Sequence, residues 1–325
     1  MSAKVLITGG AGFIGERLAS ALANDNCEVH ILDNLTRGRK DERIVQLEAK
    51  RSVKLLAVDL LQPEALDFLE NSYDAIVHLA AIIGVQNVID RPYQTLRDNV
   101  LIHEAVIRFA ARQSNLQRIL FASTSEVYAG SLIHLRLPLP TPEDSPLALP
   151  DLSEPRTTYM LSKIYGEAML LHSGLPYTIV RPHNVYGPRM GMAHVIPQLL
   201  KKAHDAKSGG DLEVFSLDHS RCFCYVDDAV EMMRRLLKTD AARNQVLNLG
   251  LETPELTIKD LAEIVIATVG KPLYIAGRPA TPGSPTRRVP DMTRMYKVTN
   301  YSGRTSLRDG IIATYEWYKT HEFSR

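Results

Sequence analysis

The sequence feature that most constrains the fold is a glycine-rich segment, Thr8–Gly15, near the start of the 325-residue chain. It follows a short apolar run, Val5–Thr8, and precedes apolar residues with helical spacing. Gly9, Gly12 and Gly15 permit a tight turn, a close approach of the backbone to a ligand, and packing of the helix on the strand. The segment therefore predicts the first strand, turn and helix of a parallel sheet.

Further β-branched runs alternate with helical patterns through the first half of the chain. This alternation predicts the α/β class, with a Rossmann-type, doubly wound parallel sheet that helices cover on both faces. Apolar residues at three-, four- and seven-residue intervals predict a helix over Pro92–Gln113. The predicted strands are Val5–Thr8, Val29–Leu32, Val53–Val58, Ala75–Leu79, Arg118–Ala122 and Tyr177–Val180.

The alternation weakens after residue 180, which predicts a smaller, mixed α/β C-terminal lobe. We assign the sheet domain to residues 1–180 and the C-terminal lobe to residues 181–325, and we expect some exchange of chain between them. Between these parts, Leu135–Pro155 contains six of the 18 prolines. Proline cannot sit inside regular elements, so we expect an irregular loop there.

Composition argues against several classes of partner and ligand. The 38 basic and 37 acidic side chains nearly cancel, so no overall field would attract nucleic acid. The longest apolar run, Ala75–Val85, is shorter than the ~20 residues of a membrane span, and the first residues leave no room for a secretion signal. We therefore expect no membrane partner and a cytoplasmic location. Cys27, Cys222 and Cys224 lack metal-ligand spacing, which predicts buried apolar side chains and no metal.

The glycine segment also predicts a dinucleotide site. The helix that begins near Phe13 and Ile14 would offer free N–H groups and a positive dipole end to a pyrophosphate. Asp33, at the end of the next strand, can accept hydrogen bonds from both ribose hydroxyls of NAD, whereas the additional phosphate of NADP would meet this carboxylate. NAD is therefore favoured. Asp59 and Leu60, after the third strand, are placed to meet the adenine.

A basic loop follows Asp33 and leaves an alternative open. It contains Arg37, Arg39 and Lys40, whose cations could hold the additional phosphate of NADP. The other interpretation is a solvated basic loop without a ligand.

Tyr159 and Lys163 are candidates for a catalytic pair. They lie four residues apart on a predicted helix, so both side chains project from one face. A phenol with a pKa near ~10 is a poor base at neutral pH, but a neighbouring ammonium and a positive nicotinamide would favour its phenolate. Such a phenolate could take a hydroxyl proton while a hydride leaves the same carbon.

Together these motifs resemble the extended branch of the short-chain dehydrogenase/reductase family, especially its nucleotide-sugar epimerases, dehydratases and decarboxylases. The resemblance covers nearly the whole chain. The matching stretches are Thr8–Gly15, His78–Ala81, Asn99, Ala122–Tyr128, Tyr159 with Lys163, Arg181–Arg189, Tyr225–Asp228 and Arg287–Asp291.

The resemblance implies a Rossmann domain that holds NAD and a C-terminal lobe that binds a UDP- or dTDP-linked hexose. It implies that Tyr159 deprotonates the hydroxyl on sugar carbon 4, while Lys163 lowers the phenol pKa and holds the nicotinamide ribose. Thr124 would hydrogen-bond the reacting oxygen, giving a 4-keto sugar. Cofactor contacts are also implied for Asn34, Leu79, Ala80, Ala81 and Asn99, and nucleotide-diphosphate contacts for Asn184, Arg221 and Arg288.

The fate of the 4-keto sugar stays open between epimerisation, dehydration and decarboxylation. Glu126 is the candidate base for removing the carbon-5 proton. Sugar 4,6-dehydratases usually have Thr-Asp-Glu where this chain has Thr124-Ser125-Glu126, so the acid that protonates the departing hydroxyl is missing. The Thr-Ser-Glu form resembles UDP-glucuronate decarboxylases, in which the ketone acts as the electron sink.

Two other hypotheses compete with this one. An NADP-dependent ketone reductase would share Tyr159 and Lys163 but would not need Arg221 and Arg288. A non-catalytic NAD-binding subunit commonly lacks the tyrosine or the lysine, and both are present here.

The resemblance also implies a homodimer formed through a four-helix bundle. The Pro92–Gln113 helix and the helix that carries Tyr159 would supply the interface. In that geometry Tyr159 and Lys163 face inward, whereas Met160, Ile164 and Leu171 would face the partner.

Overall fold

The computed structural model describes residues 3–280 and 285–324. Its main feature is a seven-stranded parallel sheet, and three small sheets lie in the C-terminal part. The strands are β1 (Lys4–Thr8), β2 (Glu28–Asp33), β3 (Val53–Ala57), β4 (Ala75–His78), β5 (Arg118–Ala122), β6 (Tyr177–Pro182), β7 (Val185–Tyr186), β8 (Asp211–Phe215), β9 (Ser220–Arg221), β10 (Cys224–Tyr225), β11 (Gln245–Leu249), β12 (Leu256–Thr257), β13 (Tyr274–Arg278) and β14 (Arg287–Arg288).

Helices alternate with the strands of the main sheet, as the sequence predicts. The helix predicted from Pro92 begins there and ends at Ala111. The helices are α1 (Phe13–Asn24), α2 (Glu42–Glu48), α3 (Val85–Asp90), α4 (Pro92–Ala111), α5 (Ala129–His134), α6 (Thr157–Leu171), α7 (Val195–Asp205), α8 (Val226–Lys238), α9 (Ile258–Val269), α10 (Thr293–Thr299) and α11 (Leu307–His321), with short 3-10 turns at Ser125–Tyr128 and Asp240–Ala242.

The order of the strands places a crevice at one edge of the sheet. The order is β11-β6-β5-β4-β1-β2-β3, so the chain runs outward from β1 in both directions. In such sheets the reversal of direction opens a crevice at the carboxyl ends of the strands, and ligands bind there. All six predicted strands are confirmed, with ends that shift by two residues at most.

Both faces of the main sheet are buried, as expected for parallel strands connected by helices. Alternate residues of β1 point to opposite sides, so Val5 and Ile7 join one apolar cluster while Leu6 joins the other. All three cysteines are buried and unpaired, which agrees with the apolar role expected for them. Among the described residues, no helix combines the length and the apolar character needed to cross a bilayer.

The C-terminal part packs against the main sheet and also adds to it. Strand β11 pairs with β6 at the edge of the sheet, and α8 packs on α1. The small sheets and helices α7, α9, α10 and α11 form the rest of this part. The division at residue 180 stays a prediction, since a strand from the later segment completes the earlier sheet.

The proline-rich loop has no helix or strand between α5 and α6. Its Thr141 forms an isolated parallel bridge with Pro290, through hydrogen bonds from Thr141 N to Val289 O (2.8 Å) and from Asp291 N to Thr141 O (2.9 Å). The loop is thereby tied to the segment that follows β14.

Candidate functional site

The glycine turn between β1 and α1 packs directly on the loop after β4. Gly9 has φ +70°, and a Cβ built on it would lie 2.7 Å from Ala80 N. A Cβ on Gly15 would lie 2.6 Å from Gly10 Cα. Gly12 is the N-cap of α1 and has no side chain to bond the first-turn N–H groups, which stay available to an anion. This cradle fits a pyrophosphate such as that of NAD.

Asp33 ends β2 beside this turn, with 8% of its surface exposed. Its Oδ2 accepts a hydrogen bond from Ala11 N (3.1 Å) and its Oδ1 from Leu35 N (2.9 Å). Burial raises the pKa of this carboxyl, and the bonds from Leu35 and Ala11 oppose the shift. The carboxylate oxygens can still accept ribose hydroxyls, so the site fits NAD.

The basic loop after Asp33 is not uniformly solvated. Arg39 forms an ion pair with Glu322, and Lys40 forms one with Glu48. Arg37 instead reaches the loop after β4 and donates to Ile83 O (3.0 Å). Two of the three cations that could have held an NADP phosphate therefore have carboxylate partners.

The remaining candidate cofactor residues differ in their hydrogen bonds and in how far they are buried. Asn34 Oδ1 accepts from Thr36 N (3.1 Å), and Asp59 Oδ1 accepts from Leu61 N (3.0 Å). Leu60 is buried in the apolar core, whereas Leu79, Ala80 and Ala81 follow β4 next to the glycine turn and are partly exposed.

Asn99 is fully buried on α4. Its Oδ1 accepts a hydrogen bond from Ile82 N (2.7 Å), and its Nδ2 donates to Ile82 O (3.0 Å). The same Nδ2 also donates to Ser162 Oγ (3.2 Å). In this structure the side chain therefore fixes the loop after β4 against α6. Direct contact with the cofactor stays a prediction.

Helix α6 presents Tyr159 and Lys163 at the carboxyl end of β5. Lys163 Nζ donates to Ala122 O (2.8 Å) and lies 4.9 Å from the centre of the Phe121 ring. Burial lowers the pKa of Lys163 to about 7, and Glu167 opposes this shift. A backbone carbonyl thus holds Lys163 at the carboxyl end of β5. Burial, Glu126, Thr124 and Arg37 set the pKa of the Tyr159 phenol in this structure, so the expected effect of Lys163 on that pKa stays a prediction.

Charges of opposite sign act on the Tyr159 phenol. Burial and the Glu126 carboxylate raise its pKa, while a hydrogen bond with Thr124 and the Arg37 guanidinium lower it. The free protein therefore keeps this phenol protonated at neutral pH. Ionisation requires an added positive charge in the site, as the sequence analysis expected from a nicotinamide.

A buried ion pair fixes α6 on the sheet. Arg181, on β6, binds Glu167 with both branches of its guanidinium: Nε donates to Oε1 (3.0 Å) and Nη2 to Oε2 (2.7 Å). The two side chains are 5% and 4% exposed. Ser123 Oγ, after β5, also donates to Glu167 Oε1 (2.5 Å). Because Glu167 lies one helical turn beyond Lys163, this network also fixes the position of the Lys163 side chain relative to the sheet.

Two buried histidines lie beneath the site. Thr8 Oγ1 and His78 Nδ1 are 2.8 Å apart, and His78 Nε2 and His103 Nδ1 are also 2.8 Å apart. Burial and the Lys163 charge lower the pKa of His78 to about 3 and that of His103 well below its usual value. Both rings are therefore neutral at physiological pH.

Thr124, Ser125 and Glu126 form the turn after β5. Thr124 caps the 3-10 turn and accepts from Glu126 N (3.2 Å). Glu126 Oε1 accepts from Arg288 Nη1 (2.8 Å), and its Oε2 lies 3.9 Å from Arg156 Nη2. Arg288 above all lowers the pKa of Glu126, against burial. The carboxylate is therefore ionised and held by arginines.

The pairing of β9 with β14 sets the two predicted diphosphate ligands side by side. Arg221 and Arg288 are in register, and both are 9% exposed. Arg221 donates to the carbonyls of Ser220 (2.7 Å), Thr286 (3.1 Å) and Pro285 (2.7 Å). Burial and Arg288 lower the pKa of Arg221 to about 10. Arg288 also approaches Ser125 Oγ (3.4 Å).

Asn184, the third predicted ligand of the diphosphate, has φ +42° between β6 and β7. Its Nδ2 donates to Cys222 O (2.9 Å), and its backbone carbonyl accepts from Cys224 N (3.2 Å). The amide oxygen at Asn184 can accept a further hydrogen bond. Its bond to Cys222 joins Asn184 to the residue that follows Arg221 in the chain.

Sequence reasoning missed several arginines that line the site. Arg189 lies under the glycine turn, where its Nη atoms approach Gly12 O and Ala11 O (3.4 Å each) and its Nε donates to Asp41 Oδ2 (2.7 Å). Arg156 precedes α6 and faces Glu126. Its position three residues before Tyr159, one helical turn, was the available signal.

The predicted dimer face needs one correction. Met160 is 2% exposed and packs inside the protomer, so the expectation that it faces a partner is wrong. Met160 lies two helical turns before Glu167, on the face of α6 that turns toward β6. Leu171 is exposed as expected, Ile164 is partly exposed, and the exposed Tyr165 was not foreseen.

Comparison with known proteins identifies relatives that cover nearly the whole chain. The family model described as the NAD dependent epimerase/dehydratase family matches residues 5–250. A UDP-N-acetyl-alpha-D-glucosaminuronate decarboxylase of Bacillus cytotoxicus is 29% identical, over 99% of this chain and 99% of its own. UDP-glucuronic acid decarboxylase 5 of Arabidopsis thaliana is 30% identical, over 95% of this chain and 87% of its own.

A solved structure agrees with these matches. A mutant UDP-glucuronic acid 4-epimerase from Bacillus cereus, in complex with UDP-4-deoxy-4-fluoro-glucuronic acid and NAD, is 26% identical. The similarity covers 97% of this chain and 99% of the other, with a TM-score of 0.84. The resemblance found in the sequence motifs is confirmed.

Proposed function

Since the chain belongs to the NAD-dependent epimerase/dehydratase family, we propose that it oxidises carbon 4 of a nucleoside-diphosphate hexose through Tyr159. The phenolate takes the proton of the carbon-4 hydroxyl, and Thr124 hydrogen-bonds the same oxygen. NAD, when bound, accepts the hydride from that carbon. The resulting ketone is the intermediate from which the product is formed.

One observation carries this proposal: Tyr159, Thr124 and Lys163 meet at the carboxyl end of β5, next to the glycine turn. Thr124 bonds the phenol, and Lys163 lies one helical turn away over Ala122 O. The free protein keeps the phenol neutral, because burial and Glu126 raise its pKa. Proton removal therefore awaits the positive charge of the oxidised cofactor, which couples catalysis to cofactor binding.

The paired arginines of the C-terminal wall support a diphosphate substrate. Arg221 and Arg288 offer planar, buried guanidinium groups in register, a geometry suited to phosphate oxygens. An NADP-dependent ketone reductase would not need this pair. A non-catalytic subunit would not need the intact Tyr159 and Lys163.

The turn after β5 favours epimerisation or decarboxylation over the usual 4,6-dehydration. Ser125 occupies the position where a dehydratase acid would be expected, and its hydroxyl lies 3.4 Å from Arg288 Nη1. Glu126 is ionised and can act as a base or orient a sugar hydroxyl, but it cannot donate a proton to a departing hydroxyl. Decarboxylases among the relatives support the second outcome for a sugar acid.

The test is incubation of the NAD-loaded protein with UDP-, dTDP-, GDP- and CDP-linked hexoses and hexuronates. Products are identified by mass spectrometry and proton NMR. We expect no change of mass for epimerisation, or loss of carbon dioxide from a hexuronate. Net consumption of a reduced cofactor by simple ketones, without turnover of any nucleotide sugar, would contradict the proposal.

We also propose that two copies associate through α4 and α6. Their outer faces expose four large apolar side chains, Tyr93, Leu101, Tyr165 and Leu171. Burial of exposed apolar side chains between two copies would favour association. We expect a dimer in sedimentation and a monomer for Leu101→Glu combined with Tyr165→Glu. A wild-type monomer at micromolar concentration would refute this interface.

A further inference from the structure

Asn248, on β11 at the edge of the main sheet, uses its whole side-chain amide inside the protein. The residue is fully buried. Its Nδ2 donates to Thr141 O (2.9 Å) and Asp291 O (3.1 Å). Its Oδ1 accepts from the Tyr128 hydroxyl (2.9 Å) and lies 3.2 Å from His183 Nε2. An amide has two donor hydrogens and two acceptor lone pairs, so all four are used, and the side chain joins parts of the protein rather than binding a ligand.

Each bond to this amide has one possible direction. A guanidinium has only donors, so Arg181 Nη1 donates to the Tyr128 hydroxyl (2.7 Å), which gives its own hydrogen to Asn248 Oδ1. Burial lowers the pKa of His183 to about 3, so the neutral ring carries one hydrogen, and the bond to Asn248 places it on Nε2. A buried amide with every bond made holds its partners in one arrangement.

The amide connects the two segments that carry the Glu126–Arg288 ion pair. Tyr128 ends the 3-10 turn that contains Glu126. Asp291 lies three residues after Arg288, in the segment that follows β14. Two hydrogen bonds to one side chain therefore join backbone segments whose own side chains meet 2.8 Å apart, at Glu126 Oε1 and Arg288 Nη1.

The same network continues to the helix that carries Tyr159. The other two nitrogens of the Arg181 guanidinium, Nε and Nη2, bind Glu167 on α6. A chain of buried hydrogen bonds therefore runs from α6 through Arg181 and Tyr128 to Asn248. This chain connects the ion pair of the C-terminal wall to the helix of the candidate catalytic pair.

We propose that Asn248 is a positioning residue, which fixes Glu126 and Arg288 relative to each other and to α6. This inference rests on the proposed function, in which Arg288 binds the nucleotide diphosphate and Tyr159 takes the carbon-4 proton. The covalent structure of the substrate sets the distance between its phosphates and carbon 4. A shift of Arg288 relative to α6 would therefore move the hydroxyl away from its base, and about 1 Å of misplacement can cost about 100-fold in rate.

A purely structural role at the edge of the sheet is the competing interpretation. The backbone of Asn248 already has that role, since its N–H donates to Glu143 Oε1 (2.9 Å) and β11 pairs with β6. These bonds need no amide at position 248. The side chain instead bonds to the segments beside Glu126 and Arg288, which lie outside the ladder of β6 and β11.

The experiment cuts the network at its link to the Glu126 turn. Tyr128→Phe deletes one buried hydroxyl and keeps the ring. Tyr73→Phe is the matched control, since Tyr73 is also fully buried and its hydroxyl bonds His30 Nδ1 (2.6 Å) instead. Asn248→Leu removes all four side-chain bonds with an apolar group of similar shape, and it should give the same changes to a larger extent. Thermal unfolding of each variant checks the fold, and Tyr128→Phe decides the matter if Asn248→Leu does not fold.

The first readout is the pKa of Glu126, measured by NMR of glutamate labelled with ¹³C at Cδ, with Glu126→Gln to assign the signal. Arg288 is the main cause that lowers this pKa, and Arg156 and Arg221 also lower it, against burial. We expect Tyr128→Phe to raise the pKa of Glu126 by about 1, because the ion pair with Arg288 loses its fixed distance. The control variant should leave it unchanged.

The second readout is kinetic. Tyr128→Phe should raise KM for the nucleotide sugar by about 10-fold, whereas NAD affinity should stay within about twofold, since the glycine turn is not part of the network. A double-mutant cycle with Arg288→Met tests the route of this effect. Because Tyr128 acts through the position of Arg288, the double variant should have the KM of Arg288→Met alone.

Two results would overturn the inference. A Glu126 pKa that is equal in Tyr128→Phe and Tyr73→Phe would show that the network does not fix the ion pair. Additive effects of Tyr128→Phe and Arg288→Met on KM would show that Tyr128 acts by another route. Failure of the proposed function looks different: wild-type protein would then turn over no nucleotide sugar, while the pKa of Glu126 would still report whether the network positions the pair.

Discussion

The two walls of the crevice are prepared for their ligands in different ways. The cofactor wall offers backbone groups: a glycine turn pressed on Ala80 and the unbonded N–H groups at the start of α1. The sugar wall offers arginines that already bind protein, since Arg288 holds Glu126 and Arg221 holds three carbonyls. Under the proposed function, the cofactor would meet backbone groups that have no other partner, whereas a diphosphate would share Arg288 with Glu126 or draw it away, since only Nη1 of Arg288 holds Glu126 and Nε has no partner among the described residues.

This difference has a chemical consequence. While Arg288 holds Glu126, the pKa of that carboxyl is low and the carboxylate is a weak base. A substrate that draws Arg288 onto its phosphates would let the Glu126 pKa rise. The base would then gain strength only when the sugar is present.

The largest expected effect is on kcat and comes from Tyr159, which would contact both the cofactor and the sugar. Tyr159→Phe should lower kcat by at least about 10³-fold, because the proton acceptor is lost. NAD affinity should stay within about twofold, since the glycine turn and Asp33 supply the cofactor contacts. Steady-state kinetics and NAD titration measure the two quantities. Retained turnover would remove Tyr159 from its role.

Gly9→Ala tests the rigidity of the cofactor wall. The new Cβ would lie 2.7 Å from Ala80 N, so the turn must shift, and NAD affinity should fall by about 10-fold or more. Gly174→Ala is the matched control, because Gly174 has φ +75° but no atom within 4 Å of a built Cβ. Gly174→Ala should therefore show the effect of backbone strain without a steric clash. If both variants bind NAD equally well, the close packing has no functional value.

Arg288→Met tests whether Arg288 binds the substrate phosphates as well as Glu126. We expect KM for the nucleotide sugar to rise by about 10- to 100-fold, from loss of a guanidinium-phosphate contact. The pKa of Glu126 should rise, since Arg288 is the main cause of its lowering, so the acid limb of the pH profile should move to higher pH. Arg287→Met, next in sequence and paired with Glu255, is the control. An unchanged profile would separate Glu126 from Arg288.

The smallest effect at neutral pH is expected from His78 and His103, the two buried histidines beneath the site, and it concerns the stability of the fold. The folded-state pKa values of His78 and His103 lie below the usual 6.5, so the unfolded chain binds protons first as the pH falls. The stability that these neutral rings contribute is present above about pH 6.5 and is lost toward pH 3. His103→Gln should flatten the acid side of the unfolding curve. Denaturant titrations between pH 4 and 7 measure this slope, and an equal slope would contradict it.

Local patterns in the sequence predict much of this molecule. Six of the seven strands of the Rossmann sheet lie in short apolar runs that the sequence predicts, whereas β11, from the C-terminal part, was not foreseen. Gly9, Gly12 and Gly15 specify their turn from local sequence. Tyr159 and Lys163 are also local, since one helical turn brings them to the same face.

The misses depend on packing between distant segments. Met160 is buried because it shares the face of α6 that Glu167 turns toward β6, and no pattern within α6 reveals which face packs on the sheet. Arg37 looks like part of a solvated basic loop until the loops around Gly84 and Gly191 close around it. The Glu126–Arg288 pair joins residues 162 positions apart, and only the register of β9 with β14 brings Arg288 there.

The buried Glu167–Arg181 fork divides the molecule into a fixed part and an adjustable part. Moving α6 against β6 would break two charge-assisted bonds away from water, a costly change. Adaptation to sugars of different shape would therefore involve the strands β9 and β14, which carry Arg221 and Arg288, rather than α6. Evolution of a new specificity on this scaffold would leave α6 in its place and change the residues of the surface opposite the helix.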